Sequence, residues 1–386
     1  MGYLPVVLIH AGAGYHSLAK ENSYIQLCNL SSKTAMELLK DGSSATEAAV
    51  AAMKVLEDSS LTNAGYGSSL SIDGDVECDA SMMTSDGYFA AVAAMRCVYN
   101  PIVVVHKILD LQHHPPKDGR IPPRLLQFCF TCFDWSVSLI VVTCISNGIT
   151  TGVWQLLHAA FWSDNAFPAG EGATRFAEEQ GITLVESTTM VSEITSYLCS
   201  CNFSYLENAT KNFNKYSRIV QQQRGTKRKM ETDTSDVSSV KQSADNQLEE
   251  SSVMDTVASS ILFTSCGEQL MRTLLAKTVS DDLRAASGSC QPVDVFNQTM
   301  KSSFIDNPAL VKDNVKLAGA IVLYVNPESS SVELMWSHTT KSMCVSYMTA
   351  ECAHPQSLVT RLAPGKVSQV PFTSGIGLRF ETQAPA

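Results

Sequence analysis

The stretch Leu4-Pro5-Val6-Val7-Leu8-Ile9-His10-Ala11-Gly12-Ala13-Gly14 decides how the rest of the chain is read. Leu4 to Ile9 is a short apolar run rich in β-branched side chains, the pattern of a buried strand. Ala11 to Gly14 reads as the tight turn that this strand feeds. Working outward, Ala35, Leu38 and Leu39 fall at helical spacing within Ser32–Lys40, and Gly42 is the glycine expected just past a helix end. Ser44-Ala45-Thr46-Glu47 is a capping box, with Ser44 bonding forward and Glu47 reaching back, and it opens an alanine-rich helix to about Glu57. Strand-like segments follow at Asp75–Ala80 and Tyr88–Ala94. Residues 1–126 therefore read as α/β sequence.

The chain has 386 residues, 45% hydrophobic and 17% charged, enough for a sizeable core without disulfide staples. Collagen, coiled coil and full-length disorder are excluded by this composition. Twenty-eight basic residues against 38 acidic ones leave a formal charge of −10, which argues against a protein that coats nucleic acid. Twelve cysteines in so long a chain make no even framework. Leu4–Ile9 is too short for a signal-peptide core and lacks a basic lead-in, so a reducing intracellular compartment is expected.

Residues 127–168 form an apolar insertion. No Asp, Glu, Lys or Arg lies between Asp134 and Asp164, and the apolar peak is Leu139-Ile140-Val141-Val142. The length would allow a transmembrane helix, but Asn147-Gly148, scattered Ser and Thr, and the lack of a basic cluster at either end argue against one. A buried or poorly folded insertion is the other reading, and its removal is expected to improve soluble expression, because nothing upstream or downstream needs its charge-free surface. Residues 169–254 read as a helical segment and then a disordered loop, low in large apolar side chains after Tyr216. Within that loop, Arg224-Gly225-Thr226-Lys227-Arg228-Lys229 is either a nuclear import signal or a solvated charge run. Residues 255–386 return to α/β texture. Gly267–Thr278 and Val293–Phe304 are helix-like, and Leu317–Val325 and Val332–His338 form a hairpin around Asn326-Pro327-Glu328-Ser329-Ser330.

Several chemical patterns fail on spacing. His113-His114 lies beside Pro115-Pro116, where adjacent side chains point apart, so a metal pair is not expected. Cys129 and Cys132 make one C-x-x-C with no second pair at zinc-ribbon spacing. Gly65-Tyr66-Gly67 lacks the third glycine and following helix of a dinucleotide fingerprint. What remains is a set of short strings: His10-Ala-Gly-Ala-Gly-Tyr-His16, Asn63-Ala-Gly65, Cys78-Asp-Ala-Ser81, Gly119-Arg-Ile-Pro-Pro123, Asp255-Thr256, Ser265-Cys-Gly-Glu268 with Arg272-Thr273, and Trp336-Ser-His-Thr-Thr340 with Ser342-Met-Cys344.

Together and in this order, the strings resemble the type-2 asparaginase family of N-terminal-nucleophile hydrolases, and within it the threonine aspartase branch. The resemblance covers residues 5–126 and 254–365. It implies an α/β fold, a four-layer αββα sandwich, with residues 1–126 as the N-terminal (α-subunit) half and 255–386 as the C-terminal (β-subunit) half. It also implies self-processing at Asp255-Thr256, where the Thr256 hydroxyl attacks the Asp255 carbonyl. The freed α-amino group, with an ordinary pKa near 8, then serves as the base for its own hydroxyl, so no cofactor or metal is called for. Gly12 and Asn63 are implied to line the oxyanion or anion pocket. The implied partners are protein substrates with aspartate at the cleavage site. The implied assembly is an αβ heterodimer and dimers of it, in nucleus and cytoplasm, with no direct contact to nucleic acid or membrane. A plain asparaginase or isoaspartyl peptidase, and a catalytically dead member of the family, are the alternatives.

Two departures bear on activity. In the family the nucleophilic threonine opens a Gly-Ala-Val-rich strand, followed by a Ser/Thr-Gly-Gly turn and a Gly-Arg segment that meets the substrate carboxylate. Here Thr256-Val257-Ala258 runs within a few residues to Thr264-Ser265-Cys266-Gly267-Glu268, leaving room for one strand only. The insertion at 127–168 also separates Arg120-Ile-Pro-Pro123 from Gly170-Glu171-Gly172-Ala173. The fold is therefore expected to be incomplete and the chain to process itself poorly.

Overall fold

The computed structural model describes residues 4–71, 74–85, 88–113, 140–145, 170–193, 258–286, 290–326 and 331–379. Met1–Thr195 with Met254–Ala386 make one compact unit, and the other, Ser196–Val253, lies outside the described residues. So do the loop expected to be disordered, the cluster at 224–229, His114, the cysteines at 129 and 132, the string at 119–123 and the pair Asp255-Thr256.

β1 (Leu4–Gly14) lies inside a four-stranded sheet, between β4 (Ile140–Ile145) and β8 (Ser342–Thr349), with β9 (Gln356–Arg361) beyond β8. A second four-stranded sheet has the order β10 (Phe372–Arg379), β7 (Ser331–His338), β6 (Ala318–Asn326) and β5 (Ala258–Ser265). Every pairing is antiparallel. β2 (Cys78–Met83) and β3 (Phe89–Met95) form a separate pair.

Alternation along β1 shows why its sequence is apolar throughout. Val6 and Leu8 point into the core between the sheets, with Ile321, Leu323, Leu334, Trp336, Met343 and Val345. Val7 and Ile9 point the other way, to a cluster that includes Met36 of α1 (Glu21–Lys40), Leu56 of α2 (Ala45–Glu57), Ile108 of α3 (Pro101–His113) and Phe176 of α4 (Glu171–Glu179). β6 repeats the device, since Ala320, Val322 and Tyr324 turn outward onto Leu275 and Val279 of α6 (Leu275–Ala285) and Phe296 of α7 (Pro292–Thr299). α5 (Gly267–Thr273) precedes α6. The layers are helix, sheet, sheet, helix, the αββα order. Each fully buried Val, Leu or Phe contributes roughly 1.5–3 kcal/mol relative to exposure.

The capping box forms as expected: Glu47 N donates to Ser44 Oγ at 3.2 Å, and Ser44 N donates to Glu47 Oε2 at 2.9 Å. The hairpin is also present, with Asn326 paired to Ser331, while its turn at 327–330 lies outside the described residues.

Other expectations need correction. Ala11–Gly14 is not a turn: β1 continues through it, and a bulge between His10 and Ala13, with Gly12 at φ +89°, absorbs the irregularity. α1 begins at Glu21 rather than Ser32, because its first turns carry polar residues that obscure the helical spacing. The helix expected over Gly267–Thr278 is broken at Leu274, which adopts φ +47°. The insertion is not inert either. Ile140–Ile145 pairs with Ile9–Leu4 over six residues and supplies one side of the first sheet. Among the described residues, no helix is long and apolar enough to cross a membrane.

Candidate functional site

Of the strings singled out by sequence, His10–His16 and Trp336–Thr340 with Ser342–Cys344 meet at one end of the sandwich. β1 carries His10 and, just beyond it, His16; β7 ends at His338; β8 begins at Ser342; and β9 brings Thr360 and Arg361. The β1 bulge presses directly on β6. A methyl group at Gly319 would run into the Ala13 side chain with Thr264 Cγ2 beside it, so only glycine lets the sheets approach here. The same row holds His338, paired with Gly319, which pairs in turn with Thr264.

His10, His16, His338 and Ser342 at this end are buried and hydrogen-bonded. His16 Nε2 lies 3.1 Å from the Ala11 carbonyl, which can only accept, so that nitrogen carries the proton and Nδ1 is free to accept. Ser342 Oγ, 2.9 Å away, donates to Nδ1 and itself accepts from His16 N at 2.8 Å. His338 repeats the logic: Nδ1–H donates to the Thr340 carbonyl at 3.0 Å, and Nε2 accepts from Thr360 Oγ1 at 3.0 Å. Burial, reinforced by His16, lowers the pKa of His10 to about 4. Burial also lowers His338 to about 4 and outweighs its bond to the Thr340 carbonyl. Burial lowers His16 as well. All three imidazoles are neutral near pH 7. Arg361 donates to the His16 carbonyl at 2.8 Å and to Glu21 at 3.1 Å, tying β9 to the start of α1.

Gly12 sits within the bulge, and its N–H donates to His10 Nδ1 at 3.2 Å. The backbone donor that the resemblance implies for the anion pocket is thus engaged by its own neighbour. Asn63 lies in a different segment. Its side-chain oxygen accepts from Ser69 N at 2.7 Å and closes the loop around Gly65-Tyr66-Gly67. Gly65, at φ +54°, leaves no room for a side chain against the Glu57 backbone. Asp255 and Thr256 lie outside the described residues. β5, which follows them, starts with Ala258 paired to Val325 and only reaches the His338 row at Thr264. Six register steps separate the two, about 20 Å at 3.3 Å per residue.

Sequence reasoning missed Thr360 and Arg361, which sit in no string. It quoted His16, His338 and Ser342 only as parts of strings, without a role. Among the described residues, no group of three or more His, Cys, Asp or Glu is placed to hold a metal.

The four-layer αββα sandwich is consistent with the α/β fold of the N-terminal-nucleophile hydrolases. Residues 3–115 match the family described as Asparaginase (Asparaginase_2). Similar proteins include the isoaspartyl peptidase/L-asparaginase of Bos taurus, 38% identical over 112 residues, which are 28% of this chain and 36% of that protein. The Mus musculus protein of the same name is 35% identical over 111 residues, 28% of this chain and 34% of that protein. A plant-type L-asparaginase from Pyrococcus furiosus is 40% identical over 112 residues, 28% and 36% respectively. The chain thus spans about a third of the length of the curated relatives it matches. The asparaginase family, a family of hydrolases, is supported through this N-terminal portion.

Proposed function

We propose that the chain is built as a threonine-nucleophile endopeptidase of the threonine aspartase (taspase) kind, with Asp255-Thr256 as its processing site, and that its activity is impaired. The observation that carries the reading is the meeting of His10–His16 with Trp336–Thr340 and Ser342–Cys344 at one end of the sandwich. These are among the strings on which the likeness rests, and they lie at opposite ends of the chain. The impairment follows from β5. A single strand connects residue 258 to the helix at Gly267, where the family's pattern needs a strand, a hydroxyl-bearing turn and a basic segment.

On this reading the Thr256 hydroxyl attacks, its α-amino group takes the proton, and Gly12 and Asn63 serve the oxyanion or anion. Substrates are proteins cut after aspartate. The working form is an αβ pair and its dimer, in nucleus and cytoplasm. A second reading, an isoaspartyl peptidase or asparaginase, is favoured by the names of the relatives that match residues 3–115. Assaying a β-aspartyl dipeptide beside an aspartate-containing peptide, with the absent interval restored after Thr256, separates the two. Turnover of the peptide alone supports the endopeptidase, and turnover of the dipeptide alone overturns it.

A further inference from the structure

Cys28 on α1 and Cys344 on β8 are both fully buried, and their sulfur atoms stand 3.5 Å apart across 316 residues of chain. They form a small cluster with Ala11, Tyr24 and Val359, beside the polar end of the sandwich. The backbone around them is firmly docked. Ser32 meets Ser346 at 2.7 Å, Asn29 accepts from Ser357 at 2.7 Å, and Arg361 binds Glu21, so one face of α1 is tied to β8 and β9 above and below the thiols. A disulfide needs a bond of about 2.05 Å, so the sulfurs must close by about 1.5 Å.

We propose that Cys28 and Cys344 are a covalent modification site, a dithiol that a peroxide converts to a disulfide joining the helix layer to the first sheet. One thiolate attacks hydrogen peroxide, giving a sulfenic acid and hydroxide. The second thiol then attacks that sulfur and releases water. Overall, two thiols and one peroxide give one disulfide and two waters, with the peroxide oxygens reduced. The bond closes a very long loop and so restricts the unfolded chain strongly. Hydrogen bonding to Cys344 and burial hold Cys28 well above the ordinary thiol range, so the thiolate is scarce and the conversion is slow, faster as pH rises.

The test is peroxide treatment of the whole folded chain, followed by quenching, unfolding, alkylation and digestion without reductant. The expected product is a crosslinked pair of peptides containing Cys28 and Cys344, two hydrogens lighter than the separate peptides. Its yield should exceed that from the chain oxidised in urea, where the twelve cysteines pair without native guidance. Cys28→Ser, which keeps a hydroxyl against Cys344, should remove the crosslink and leave the circular dichroism spectrum unchanged. Recovery of both cysteines alkylated, or equal crosslink yields from folded and unfolded chain, would overturn the proposal.

Discussion

His16 Nδ1 stands 2.9 Å from Ser342 Oγ, joining the end of β1 to the start of β8 across 326 residues. Because His16 Nε2 is committed to the Ala11 carbonyl, this one imidazole clamps the bulge from within and the neighbouring strand from outside. Ser342→Ala removes the donor while His16 stays buried. A loss of about 1–3 kcal/mol is expected by urea unfolding, the cost of an unsatisfied buried acceptor. Thr34→Ala, an exposed helical hydroxyl bonded only to its own turn, should change stability by no more than about 0.5 kcal/mol. Equal losses for the two would contradict the clamp.

The contact between Ala13 and Gly319 sets how closely the sheets pack at this end. Gly319→Ala forces a methyl group into the bulge, and a loss of about 1–3 kcal/mol is expected from overpacking. Ala13→Gly in the same chain should recover part of that loss. A double-mutant cycle showing strict additivity would place the strain elsewhere.

Stability should depend on pH in two opposing ways. His10 and His338 have folded pKa values near 4 against an unfolded value near 6.5, so between those limits the unfolded chain binds protons that the folded chain refuses. Stability therefore falls as pH drops from about 6.5 toward 4. Glu57 behaves oppositely. Burial raises it to about 8 despite its bond from Ile102 N, so the folded chain holds a proton that the unfolded chain releases above about 4.5. Stability therefore also falls as pH rises toward 8. Glu57→Gln should flatten the alkaline limb alone, read from melting temperature across pH. An unchanged alkaline limb would show that Glu57 does not cause it.

Deleting residues 127–168 should now destabilise the fold, because Ile140–Ile145 covers one side of β1. The expected result is a lower melting temperature and more aggregation, as an apolar strand edge is uncovered. A deletion that melts at the original temperature would show the pairing to be dispensable.

The legible parts of this fold were those whose pattern is local. The Ser44–Glu47 box, the alanine-rich α2 and the β6–β7 hairpin each announce themselves within one continuous stretch of chain. Long-range choices were hidden. The glycines of Ala11–Gly14 suit a turn as well as a bulge, and only the pairing with Met343 and Ser342 decides for the bulge. β8 and β9 acquire their meaning from partners about 340 residues away, such as Arg361 with Glu21. The strings that carry the site were visible as sequence, but not the roles within them. That His10 accepts from Gly12 and His16 from Ser342 depends on a register no short window contains.

The intact mass of the purified chain tests the central claim most directly. Attack by Thr256 on its own peptide bond requires a held turn, and a misplacement of about 1 Å can cost about a hundredfold in rate. With a single strand after residue 257, one uncleaved species of 41.8 kDa is predicted, and restoring the absent interval should split it at Asp255-Thr256 unless Thr256 is replaced by Ala. Efficient division of the chain as it stands into residues 1–255 and 256–386 would contradict the account.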